Sequence, residues 1–408
     1  MIPTEWDHQD LATLSATPIT YGVVKPGPHD DSDGVLFVRG GDFPNGKIDP
    51  SSLRTITRSV SNQYRRTQLR GGEILVSLVG YPGACAVVQP ELSGANIARQ
   101  AAIIRLKDST ATEFVAAYLR SPIGQAELLS NTLGSAQQVI NLKDLRKVVV
   151  AIPPKGERDK IAEILSTWDR AIETVEALIA NARHQKAALM QALLTGRTRL
   201  PGFEGEWTWT IFSDVFERVR DKNTVGDTNV LTISAQHGLI SQTEYFNKVV
   251  ASDDVRGYTL LRRGDFAYNK SYSDGYPFGA FKPLDRYDQG IVSSLYICFR
   301  LTGPEHDHDF MRHYFEAGLF NREVAAIAQE GARNHGLLNV SVVDFFDTSL
   351  HTPPPDEQRA IAAVINDAEA KERALTVQRD ALSKEKAALM QQLLTGKRRV
   401  KVARGEGE

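Results

Sequence analysis

The chain has 408 residues, 42% hydrophobic and 24% charged, with a formal net charge of −2. It is too long for one ordinary core, long enough for two or three domains, and too apolar to be a disordered chain. No stretch approaches about 18 uncharged apolar residues, which excludes a helical membrane span, and Glu5, Asp7 and Asp10 leave Met1 to Asp10 without a signal-peptide core. The two cysteines, Cys85 and Cys298, lie far apart in apolar runs. They read as small core residues and suit a reducing cytoplasm.

In chain order, strands are expected at Val35–Arg39, Glu73–Val79, Ala84–Val88 and Ala101–Leu106, a helix at Glu113–Leu129, and an apolar strand at Val148–Ile152. A long helix follows Pro153-Pro154. Between Glu157 and Gly196 the residues Ile161, Leu165, Trp168, Ile172, Val175, Ile179, Ala182, Leu189 and Leu193 recur at alternating four and three positions, broken only by Lys186. That spacing is a coiled-coil seam. Glu157 and Asp159 favour its N-terminus, and Gly196 followed by Pro201 ends it. A second set of strands is expected at Asn229–Ser234, Asp265–Asn269 and Ser294–Leu301, with a helix at Phe310–Ala328. A second long helix runs from Glu357 to Gly396, with Ile361, Ile365, Ala368, Leu375, Leu382, Leu389 and Leu393 on a thinner seam.

The second half repeats the first. Lys186-Ala-Ala-Leu-Met-Gln191 returns as Lys386-Ala-Ala-Leu-Met-Gln391, and the same offset pairs Leu193-Leu-Thr-Gly196 with Leu393-Leu-Thr-Gly396 and Pro153-Pro154 with Pro353-Pro354. Upstream, Phe114 and Tyr118 answer Phe310 and Tyr314. The expected fold is α+β: globular units at 1–152 and 201–352, long helices at 153–200 and 353–400, and a disordered tail at 401–408. The helices are expected to pack as an antiparallel coiled coil relating the units by pseudo-two-fold symmetry.

Polar stretches between these elements mix the side chains that read base edges: arginine and lysine read guanine, asparagine and glutamine adenine. In the first unit they are Arg54, Arg58, Tyr64, Arg65, Arg66 and Gln68, then Gln137, Gln138 and Asn141. The second offers Asn269, Lys270, Tyr272, Ser273 and Tyr276, then Arg333, Asn334 and His335. Taken singly, each is as readily an ordinary solvated loop residue. As sets, they are expected at matching places in the two copies.

Catalytic motifs do not survive inspection. Gly41-Asp-Phe-Pro-Asn-Gly46-Lys47 lacks the Ser or Thr of a P-loop, having Ile48 there, and reads as a turn before a strand. Pro355-Asp356 with Glu369-Ala370-Lys371 imitates nuclease spacing but falls on a helix. His306-Asp307-His308-Asp309 is better read as a helix start, with Asp309 as the N-cap, than as a metal site. No catalytic residue and no metal ligand is expected.

Lys160-Ile-Ala-Glu-Ile-Leu-Ser-Thr-Trp-Asp169, Leu189-Met-Gln-Ala-Leu-Leu-Thr-Gly196, Arg199-Leu-Pro-Gly-Phe203 and Pro353-Pro-Pro-Asp-Glu-Gln-Arg359 resemble the helices of type I restriction-modification specificity subunits. The resemblance implies two target recognition domains, each reading half of a bipartite, asymmetric double-stranded DNA site, on spacer helices that fix the unread gap. It implies no catalysis in this chain and no membrane. It also implies two methyltransferase subunits that bind S-adenosylmethionine and, in a complete restriction complex, two restriction subunits using ATP and Mg. The near-neutral charge then requires a local basic face or partners that supply positive field. Two other readings remain open at this stage: a coiled-coil scaffold or adaptor, and an anti-phage effector that pairs this fold with a different enzyme.

Overall fold

The computed structural model of the chain describes residues 3–27, 34–130, 138–234, 237–246, 254–272, 275–328 and 338–401. They fall into two compact units, Met1–Glu176 with Val377–Glu408, and Ala177–Thr376. The expected tail, from residue 402 on, lies outside the described residues.

The first unit runs β1 (Asp7–Asp10), α1 (Leu11–Leu14), β2 (Thr20–Tyr21), β3 (Val35–Val38), β4 (Arg54–Ile56), α2 (Arg58–Gln63), β5 (Ile74–Ser77), β6 (Cys85–Val87), β7 (Asn96–Ile97), β8 (Ala101–Ile104), α3 (Thr112–Arg120), α4 (Pro122–Leu129), α5 (Leu142–Arg146) and β9 (Val149–Ile152), and leads into helix α6 (Lys155–Leu193). Its central sheet is ordered β2-β8-β5-β6, with antiparallel neighbours throughout. Every residue of β5 is buried because the strand is covered on both faces. Ile74 and Val76 join the core under Phe114 and Leu119 of α3, whereas Leu75 joins a second core with Val38, Ala86 and Ile103. Alternation along one strand thus serves two cores.

The second unit repeats the plan with longer strands: β10 (Thr208–Ile211), α7 (Phe212–Val215), β11 (Phe216–Arg218), β12 (Leu231–Ser234), β13 (Gly238–Ser241), α8 (Gln242–Phe246), β14 (Thr259–Arg262), β15 (Phe266–Asn269), β16 (Ala280–Pro283), β17 (Gln289–Val292), β18 (Ile297–Leu301), α9 (His308–Glu316), α10 (Asn321–Ile327), α11 (Val342–Phe346), β19 (Ser349–Thr352) and helix α12 (Pro355–Leu393). Its central sheet is ordered β11-β18-β15-β16, element for element the order of the first. Phe266 and Tyr268 face a phenylalanine-rich core with Phe212, Phe216, Phe299 and Phe345, and Ala267 faces the other way, with Leu231, Leu261 and Val292. In both units the first strand pairs with the last, β1 with β9 and β10 with β19.

The single helices expected over Glu113–Leu129 and Phe310–Ala328 are each two. Ser121 takes an extended backbone and its hydroxyl accepts from the Gly124 amide, while Pro122, which has no N–H to continue a helix, opens α4. The N-cap of α9 is Asp307, whose carboxylate accepts from the Phe310 amide at 2.8 Å, not Asp309. Asp309 instead accepts from Asn366 at 2.6 Å and from Arg312.

Each unit contains half of each long helix. In the first, Ile161 and Leu165 of α6 share a core with Leu393 and Leu394, at and just past the end of α12, and with Trp6, Leu11 and Val150. In the second, Leu193 and Leu194 share a core with Ile361, Ile365, Phe310 and Leu350. Ion pairs set the direction. In the first unit Glu157 takes Arg399 and Asp169 takes Lys386. In the second, Lys186 takes Glu372 at 2.8 Å and Arg199 takes Glu357 at 2.6 Å. As one number rises its partner falls, so the helix halves within each unit run antiparallel. Gly196 and Gly396 hold φ of +69° and +67° just beyond the helices, where an indole packs on each: Trp207 on the first, Trp6 on the second. A side chain there would meet both the strained backbone and the ring.

Candidate nucleic-acid interface

In the first unit the polar side chains attach to opposite ends of β5. At its C-terminal end, the hairpin from Leu78 to Ala84 is closed by amides of Gly83 and Ala84 donating to Ser77 and Tyr81 carbonyls. Gln125 of α4 braces the tip by donating to the Gly83 carbonyl at 2.8 Å, and an added Cβ on Gly83 would stand 2.7 Å from that side-chain amide. The Ile140 amide donates to the Leu78 carbonyl at 3.0 Å, which brings Gln138 and Asn141 beside this hairpin. Both are exposed, and Asn141 sits at the N-cap of α5 without a side-chain capping bond, so its amide is not consumed there. Tyr81, at the hairpin tip, is 55% exposed.

The arginine-rich segment lies at the other end. Arg105, just past β8, donates to the carbonyls of Arg66 and Gln68, each at 2.7 Å. The Thr67 hydroxyl donates to Asn96, and Asn96 donates to the Ser61 hydroxyl. Gln68 is committed to the same scaffold, donating to Ser61, and Tyr64 is half-buried against the Phe37 and Ile56 cluster. Arg54, Arg58, Arg65 and Arg66 are exposed on this framework.

The second unit's described candidates cluster at the C-terminal end of β15. Asn269 accepts from the Ser271 amide at 3.1 Å, and the Leu338 amide donates to the Lys270 carbonyl at 2.9 Å, the counterpart of the Ile140 bond. Tyr272 is 63% exposed on this loop. Tyr276 is held inward: its hydroxyl donates to Glu316 at 2.6 Å and accepts from Lys282. Burial, reinforced by Glu316, pushes its pKa up. Gln137, Ser273, Arg333, Asn334 and His335 lie outside the described residues.

The two leading sets are therefore not at matching places. Arg54–Gln68 precedes β5, whereas Asn269–Tyr276 runs from the end of β15, the strand that matches β5, into the loop matching Leu78–Ala84. The sequence sets omit Tyr81. Its signal was an aromatic in Val79-Gly-Tyr-Pro-Gly83, a turn between two apolar runs.

The dismissed motifs are structural. Lys47 pairs with Glu173 at 3.0 Å, Asp356 stands exposed in the first turn of α12, and Glu369 pairs with Arg312 at 3.0 Å. Burial pushes the thiols of Cys85 and Cys298 up to about 12, far from a reactive thiolate.

The chain thus carries one α/β module twice, each copy with polar loop ends and a long helix after it. Residues 24–182 match the family model of the type I restriction modification DNA specificity domain. That match covers 159 of the 408 residues, most of the first unit and the start of the second. It is 31% identical over 211 residues to the type I restriction enzyme EcoBI specificity subunit of Escherichia coli; the match spans 51% of this chain and 43% of that relative. The chain thus covers less than half the length of that curated relative. The type I system S subunit from M. genitalium superposes with a TM-score of 0.56 at 13% identity, over 96% of both chains. A chain from a structure concerned with complex assembly and conformational transition of the type I R-M system gives 0.56 at 16% identity, over 97% of this chain and 98% of that one. At such identities these two matches speak for the fold.

Proposed function

We propose that this chain is the DNA-reading subunit of a type I restriction-modification complex and performs no catalysis itself. Each unit reads one half of a bipartite, asymmetric double-stranded site, and the chain directs two methyltransferase subunits to it, joined in a restriction-competent complex by two restriction subunits. S-adenosylmethionine belongs to the methyltransferase partner, and ATP with Mg to the restriction partner, all in the cytoplasm. The observation that carries this reading is the specificity-domain match over residues 24–182, together with the recurrence of that unit's central-sheet order in the second half. Among the described residues no helix is long and apolar enough to cross a membrane, which is compatible with this role.

Base reading belongs to the hairpin ends, where Tyr81, Gln138 and Asn141 in one unit and Asn269, Lys270 and Tyr272 in the other are braced by the same backbone bond. Exchanging residues 1–152 for the recognition domain of another specificity subunit tests this. The methylated motif should change in one half only. An unchanged motif, or one altered in both halves, would contradict the assignment of one half-site per unit.

A further inference from the structure

Between Pro50 and Gly72 the chain carries five arginines, Arg54, Arg58, Arg65, Arg66 and Arg70, and no acidic residue. With a net charge of −2 overall, that leaves −7 on everything else. The positive charge is thus concentrated in one segment. Among the described residues, no ion pair engages the side chains of Arg54, Arg65, Arg66 or Arg70, all of them exposed. The nearest acid in sequence, Glu73, is buried and spent. It accepts from the amides of Arg70 and Gly71 and from Arg105 Nε at 3.2 Å.

The backbone beneath is fixed. Arg105 holds the carbonyls of Arg66 and Gln68, and buried Asn96 ties Ser61 and Thr67 together. Guanidinium groups mounted on rigid backbone and free of internal partners are preorganised for a polyanion. Arg70 has a match in the second unit, exposed Arg262, whose amide donates to Asp265 as that of Arg70 donates to Glu73. At the offset pairing these two arginines, residues 55–61 answer 247–253, which lie outside the described residues.

We propose that Arg54, Arg65, Arg66 and Arg70 form a phosphodiester clamp in the first unit. It holds the DNA backbone without reading sequence, at the end of β5 remote from the hairpin where bases are read. This rests on the DNA-reading function proposed above and divides its labour: anchorage at one end of the strand, discrimination at the other.

The test is binding of the full chain, with its methyltransferase subunits, to cognate and non-cognate duplexes across a salt series. Arg65→Gln with Arg66→Gln should weaken both duplexes by the same factor. It should reduce the slope of log affinity against log salt by about 2, roughly one for each phosphate that is no longer neutralised. Arg65→Lys with Arg66→Lys keeps the charge and should retain most of the slope, which separates removal of charge from damage to the fold. Tyr81→Ala with Gln138→Ala should do the reverse, narrowing the cognate preference with the slope unchanged. A glutamine pair that leaves the slope intact, or that alters the cognate preference, overturns the clamp. If it leaves the slope intact while methyltransferase capture falls, the arginines face a protein instead. A wild-type complex without sequence preference would contradict the reading function, while the clamp would still stand or fall on its own salt slope.

Discussion

His313 gives the second unit a buried titratable ring where the first has Ala117. Asn366 donates from its amide nitrogen to Asp309, which turns its carbonyl oxygen toward His313 Nε2 at 2.8 Å and Arg312 Nη2 at the same distance. Because Asn366 presents its oxygen there, the ring donates that bond from Nε2. Burial first, and then the Arg312 charge, lower its pKa; Asn366, Glu369 and Asp309 oppose them. Half-buried His306 is lowered too, again chiefly by burial. A depressed folded-state value means that the unfolded chain binds protons the folded state refuses. The stability these groups contribute is full above the ordinary histidine value of about 6.5 and is lost as pH falls from there through the folded value. The matching position in the first unit is Ala117, so the effect should be confined to the second. Hydrogen exchange should show the second unit opening more readily at pH 5.5 than at pH 7.5, about one unit to either side of that value, with the first unaffected. His313→Gln should flatten that dependence. A pH response of equal size in both units would contradict the assignment.

At the scale of elements, the long helices were the most legible part of the chain. The seam expected from spacing alone is the buried stripe: Ile161, Leu165, Val175, Ile179, Ala182 and Leu193 are all buried. The thinner second seam is also as expected, with Leu375, Leu382 and Leu389 only half-buried between Ile365 and Leu393. Lys186, a break in the pattern, proves to belong to it. It and Lys386 are seam residues that reach acids on the facing helix half, Glu372 and Asp169. A charged pair at a seam selects register because any slip leaves a half-buried charge unmatched. Lys386→Glu should therefore lower the melting temperature of the first unit, and adding Asp169→Lys should restore much of it. If the double variant is no better than the single, the pair does not set register. The break between α3 and α4 was less legible, because a proline at a helix start and one in a continuing helix look alike until the capping Ser121 is seen. Short strands such as β1 and β10 were missed because their order comes from partners far along the chain, β9 and β19.

For the proposed interface, side-chain type was legible in the sequence but availability was not. Side-chain chemistry picked out Arg54–Gln68, but which residues are spent on scaffold, as Gln68 and Tyr276 are, depends on tertiary partners that no spacing encodes. The repeat itself supplied the missing guide. Matching β5 to β15 puts Tyr81 opposite the loop of Tyr272 and Arg70 opposite Arg262.

For the molecule as a whole, the first unit is finished by the far end of the chain. Leu393 and Leu394 lie in its core, and Arg399 binds buried Glu157 through two nitrogens at 2.6 and 2.7 Å. Leu393→Ala should cost about 2–5 kcal/mol. The destabilisation should appear in hydrogen exchange of β1 and β9, at the other end of the first unit's sequence, and not in β10 and β19. Exchange that rises in the second unit instead would contradict the core described here.

The central claim, that this chain gives a methyltransferase its target, is tested most directly by methylome sequencing. A methylation-free host would carry this gene with its neighbouring methyltransferase gene, against a control lacking only this gene. A gapped, two-part adenine motif should appear only when this chain is present. Methylation at the same sites without it, or a co-purifying complex that yields no motif, would contradict the account and favour a scaffold or effector role.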